Sequence, residues 1–196
     1  MDVLRELQEI RAINARVEQL EREGADPAQI RRTLQVAIKP GENGLSYQTR
    51  VLLYSYASDL IAAAEVRGIS LNFQPDSAPQ AAQAVGSAYE ANRAVRGLEH
   101  EDNLVLISKE LGSYLTLTLC HSMGGKIKVQ SVPAQQTKGL SALLVSGIMI
   151  RVALPGGQAL NPIEVANKVV RSIRVGEDGL TLNQRPILRL LERGRA

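Results

Sequence analysis

Residues 110–132 read ELGSYLTLTLCHSMGGKIKVQSV, and residues 142–155 read ALLVSGIMIRVALP. Together they hold the turn from helix to sheet on which the architecture depends. Leu111, Leu115 and Leu119 recur at helical spacing, which predicts a helix over Leu111–Ser122. Met123-Gly124-Gly125 breaks it, because a helix-to-strand reversal commonly requires a positive φ that glycine supplies without strain. Ile127, Val129 and Ser131 then alternate with Lys126, Lys128 and Gln130, the two-residue period of a strand over Lys126–Val132. A loop over Ala134–Gly139 leads to a second apolar strand, Leu143–Leu154, stopped by Pro155. On the upstream side, Glu99–Asn103 reads as a polar loop and Leu104–Ile107 as a short buried strand.

Further upstream the pattern is helical. Met1–Gly24 carries Leu7, Ile10, Ile13, Val17 and Leu20 at three- and four-residue steps, and the last four make a 3-4-3 seam of the coiled-coil kind. Asp26-Pro27 is a cap followed by a first-turn proline, opening a helix over Pro27–Ile38 that Lys39-Pro40-Gly41 stops. A long helix, Leu45–Arg67, closes at Gly68, and Ile69, Leu71 and Phe73 alternate as a short strand. An alanine-rich helix is predicted over Pro79–Leu98, with Ala81, Ala84, Ala88, Ala91 and Val95 on one face. Downstream come a helix over Pro162–Arg174, an extended Leu180–Leu182 and a basic helix over Pro186–Arg193.

Composition narrows the function. In 196 residues, 44% are hydrophobic and 3% aromatic, with no Trp, so the core is aliphatic and base-stacking platforms are scarce. The single cysteine, Cys120, excludes a disulfide framework and a cysteine zinc site, and reads as a reduced core thiol of a cytoplasmic protein. No signal-peptide pattern opens the chain, and the longest apolar stretch is broken by Ser146, Gly147 and Arg151, so no membrane association is expected. The formal charge of +3 resides in the tail, where Arg171, Arg174, Arg185, Arg189, Arg193 and Arg195 face Glu177, Asp178 and Glu192. Arg185, Arg189, Arg193 and Arg195 form the candidate basic patch, read as a charged helix against a protein partner or its own domain, with nucleic acid ranked below.

The order glycine entry, apolar helix, Met123-Gly124-Gly125, strand Ile127–Val129–Ser131 and exit at Leu154-Pro155 resembles the closing part of the ATP-binding domain of sensor histidine kinases, of the superfamily (GHKL) shared with gyrases and MutL-type repair proteins. The long helix before Gly68-Ile69-Ser70-Leu71 is similar to the exit of a kinase dimerisation hairpin. The resemblance implies an α/β fold, an α+β two-layer sandwich over residues 69–160, preceded by a helical dimerisation region at 1–68 and followed by a basic helical extension at 161–196. It places Asn92 where the family has its magnesium-binding Asn, and Gly112 in the second half of the phosphate loop.

The departures point away from an enzyme. The adenine-reading Asp-x-Gly-x-Gly motif is absent, and Ile107 leads so directly into Gly112 that no ATP lid has residues to form from. Glu110 stands where the loop's first glycine would let backbone amides approach phosphate. His100 and His121 lie outside the helical half, so no acceptor histidine is available there. The expectation is a non-catalytic signalling adaptor, a pseudokinase related to two-component proteins, with no cofactor or metal. It would be a homodimer through Ile10, Ile13, Val17 and Leu20, binding a response regulator or a kinase. A nucleic-acid-associated regulator and a residual ATPase are the alternatives.

Overall fold

A computed structural model describes residues 2–30, 32, 45–97, 99–132, 143–145, 147–176 and 179–195. Helix α1 spans Val3–Arg22, with the Asp2 carboxylate accepting the Arg5 amide as its cap. Asp26 caps the next helical turn, 27–30, by accepting the amides of Ala28 and Gln29. The rest of the helix expected over Pro27–Ile38 lies outside the described residues. Helix α2, Tyr47–Glu65, starts on Ser46 and ends where Gly68 turns to φ +70, letting the Ile69 amide reach back to the Ala64 carbonyl.

The expected strand at Ile69–Phe73 is not formed. The segment is a loop whose alternate residues Leu71 and Phe73 are buried, so the two-residue period reflects burial without pairing. Phe73 adopts φ +58, and Tyr114 holds it there. The Tyr114 hydroxyl accepts the Phe73 amide at 3.0 Å and bonds the Ser77 hydroxyl at 2.6 Å, while the two rings stack at 4.9 Å. Helix α3 follows over Ser77–Arg96, with Ala81, Ala84 and Ala88 buried as expected and Ala91 exposed.

The largest correction concerns residues 99–122. The expected loop, strand and helix are one helix, α4, spanning His100–Met123. It is enclosed on nearly every side, and all residues from Glu110 to Cys120 are buried. A helix buried all round has no polar stripe, and a four-residue apolar run such as Leu104–Ile107 does not distinguish strand from helix by period. Four of its hydroxyls are satisfied within the helix: Ser108, Thr116, Thr118 and Ser122 each donate to the carbonyl four residues back.

Beyond Gly124, at φ +66, strand β1 (Lys126–Ser131) pairs antiparallel with β3 (Ile148–Ala153). The long strand expected over Leu143–Leu154 is instead a hairpin: β2 (Leu143–Val145) turns at Gly147, φ +79, into β3. A short β4 (Ala159–Leu160) pairs with the end of β3, giving the order β1-β3-β2 with β4 on β3. Helix α5, Pro162–Val170, is capped by Asn161 and is shorter than expected. Arg174 belongs to a separate hairpin, β5 (Arg174–Gly176) and β6 (Gly179–Thr181). Helix α6, Arg185–Arg195, buries Ile187, Leu190 and Leu191.

The fold is therefore mixed, mostly helical, with a small antiparallel sheet. One buried cluster runs from Val3 to Leu191 through all three expected regions, with α4 packed against α2, α3, α5 and α6.

Candidate functional site

Asn92 and Glu110, read from the sequence as parts of a lost nucleotide site, do meet. They face each other across the α3–α4 seam, with Asn92 Nδ2 donating to Glu110 Oε1 at 3.2 Å. Both are almost fully buried, Asn92 at 6% exposure and Glu110 at 1%. An amide and a carboxylate removed from water need such a partner.

Gly112 sits two residues further along α4, and its role is packing. A Cβ there would fall 2.6 Å from the Ile163 Cα and 2.8 Å from its Cγ1. Only glycine lets α5 lie this close to α4. Backbone amides in mid-helix are already engaged, so they cannot cradle a phosphate as those of a loop do.

Nearer the surface the same seam opens into a cleft of about 370 Å³ lined by Tyr89, Arg93, Gly97, Glu99 and His100. The Tyr89 hydroxyl and His100 Nδ1 lie 2.9 Å apart, their rings edge to face. Asn103, fully buried beneath them, donates to the Tyr89 carbonyl. The cleft mixes cationic and acidic side chains and can hydrogen-bond a small polar molecule. His100, expected in a loop, opens α4. His121 sits in the last turn of α4, half-buried.

A second buried polar group lies between α1 and α2. Arg50 Nε approaches Glu6 Oε2 at 3.6 Å, and Glu6 also bonds the Tyr54 hydroxyl. Burial pushes the Tyr54 hydroxyl well above its ordinary range, and the Glu6 charge adds to the rise. No sequence signal marked this trio, because its members come from separate helices without a motif. Burial alone pulls the Lys109 ammonium down, with its nitrogen 5.9 Å from the Tyr56 ring centre.

The remaining sequence-derived residues distribute as follows. In the turn Met123-Gly124-Gly125, Gly124 has the positive φ, and Gly125 is fixed by crowding instead. A Cβ there would lie 2.5 Å from Val152 Cγ1 and 3.1 Å from the Leu119 carbonyl. Along the α1 seam, Ile10 and Leu20 are buried within the chain itself, and Ile13 and Val17 are half-buried. Arg185, Arg189, Arg193 and Arg195 all lie exposed on α6, whose apolar side docks on the core.

Among the described residues no helix is long and apolar enough to cross a membrane, and no three His, Cys, Asp or Glu side chains are grouped to hold a metal ion. No family model matches the chain, and no curated protein or solved structure matches it.

Proposed function

We propose that this chain acts by binding, as a non-catalytic adaptor of the histidine-kinase-like type, with a protein such as a response regulator or kinase as its partner. The observation that carries the reading is the unbroken course of α4 through residues 107–112. Where a nucleotide-binding relative would need a glycine loop, this chain has a buried helix, with Glu110 bonded to Asn92 and Gly112 pressed on Ile163. A triphosphate brought there would meet a carboxylate and no free amides.

The kinase-type ancestry of the fold belongs to the same proposal. It is supported by the order retained after α4: Met123-Gly124-Gly125, strand β1, and the exit of β3 at Leu154-Pro155. A homodimer through α1 is also part of the reading. Ile13 and Val17, half-buried, and Leu4, 46% exposed, are the apolar surface that α1 retains for it.

Calorimetric titration with magnesium–ATP tests the core of the proposal. The expected result is no heat of binding up to millimolar nucleotide. Micromolar affinity would overturn it.

A further inference from the structure

We propose that the outward face of the sheet, together with the last turn of α6, binds the phosphate backbone of a nucleic-acid duplex. From Leu111 to Ile163 the sequence contains no Asp or Glu, yet it carries Lys126, Lys128, Lys138 and Arg151. Pairing of β1 with β3 sets Lys128 directly opposite Arg151, and Lys126 lies on the same face two residues earlier. All three are exposed. Like charges in direct register are unfavourable in a sheet. Lysines on an edge strand such as β1 have a protective role against sheet-to-sheet pairing. That role does not explain Arg151, which stands on the inner strand β3.

Helix α6 adds to the same end of the molecule. Gly194 lies against Met123, so closely that a Cβ would overlap the Met123 sulfur. Met123 ends α4 three residues before Lys126. Arg193 and Arg195, flanking Gly194, are exposed, with Glu192 the one carboxylate in that turn. None of Lys126, Lys128, Arg151, Arg193 and Arg195 forms an ion pair among the described residues. Segments far apart in sequence thus present five cations that have no ion pair among the described residues.

The chemistry of this surface favours phosphates over an acidic protein. Protein interfaces rest on anchors, most often Trp, Tyr and Arg, seated in desolvated pockets, and the cations here stand in open solvent. Among the described residues the exposed large hydrophobics are Leu4, Val66, Val105, Val129 and Leu188, and none of these is on the outward sheet face, since Val129 pairs with Ile150 on the other side. Phosphate contacts need only cations, and the lack of aromatic platforms favours a duplex over a single strand.

The test is anisotropy of a labelled DNA duplex of about 20 base pairs with the full chain, titrated between roughly 50 and 200 mM salt. Five contacts give a slope of log affinity on log salt of about −4.5. The triple variant Lys126→Gln, Lys128→Gln, Arg151→Gln is expected to reduce that slope by about 2.7, and Arg193→Gln, Arg195→Gln by about 1.8. If losing Arg151 lowers the melting temperature, the Lys126→Gln, Lys128→Gln pair decides alone, with an expected fall of about 1.8. No binding at the low-salt end, or an unchanged slope in the sheet variant, would overturn the proposal. So would tighter binding of poly-glutamate than of the duplex, which would assign the surface to an acidic protein. The result is independent of the adaptor reading, which stands or falls on the nucleotide titration.

Discussion

Helices α4 and α6 touch at Met123 and Gly194 and are built on opposite plans. Helix α4 is enclosed by α2, α3, α5 and α6, and four of its hydroxyls, its Asn103 amide nitrogen and its Glu110 find partners inside the protein. Helix α6 buries Ile187, Leu190 and Leu191 along one stripe and leaves its arginines in water. The buried polar groups of α4 serve packing and hydrogen bonding, whereas the arginine side chains of α6 have no ion-pair partner among the described residues. A functional surface is therefore to be sought on elements of the second kind, even though the first holds the residues that resemble a nucleotide site.

The contrast breaks most visibly at Gly112. Gly112→Val places methyl groups where the Ile163 backbone already stands, and backbone cannot yield as a side chain can. The expected loss is about 3 kcal/mol, the upper end of overpacking costs. Leu188→Val on the exposed side of α6 is expected to stay within about 0.5 kcal/mol of wild type. Urea unfolding of both variants checks the pair, and similar losses would mean that α4 is not held as tightly as described.

Tyr114→Phe sharpens the comparison by removing one oxygen and keeping the ring. The Phe73 amide, held at positive φ, then loses its acceptor in a buried site. A destabilisation of about 2 kcal/mol is expected. Thermal melts giving no change would show that the hydroxyl does not fix the α2–α3 connection.

The smallest expected effect concerns alkaline pH. Burial raises the Cys120 thiol from 9.0 to about 12, so the folded state keeps its proton while the unfolded chain loses it. That stabilisation is fully present below pH 9 and is lost as pH rises from there towards 12. By pH 10 the loss is on the order of 1 kcal/mol. Urea midpoints at pH 7.5 and 10 are expected to fall further for wild type than for Cys120→Ala. Equal falls would place the thiol in contact with solvent.

Legibility in the sequence followed the same divide. Where a helix has one wet side, as in α1, α2 and α6, period and caps located it, and Asp26, Gly68 and Gly124 act as read. The first half of α4 is not legible because the short apolar run Leu104–Ile107 fits strand and helix equally well by period. The expected single strand Leu143–Leu154 hides a hairpin because a turn at Gly147 inside an apolar run leaves the run's composition unchanged. Asn92 and Gly112 read as remnants of a nucleotide site, and what the structure gives them is a hydrogen bond to Glu110 and a close approach to Ile163. The facing of Lys128 and Arg151 is a matter of register, which no local pattern discloses before the pairing is known.

The enclosure of α4 also sets how the molecule would report on its own ligands. Amide protons along the 110–120 stretch have no path to solvent short of global opening, so their deuterium exchange would track the full unfolding free energy. Anything that binds only the folded chain raises that free energy by mass action, wherever on the surface it docks. The slowest-exchanging amides of the central helix are thus a built-in gauge for partners that never come near it.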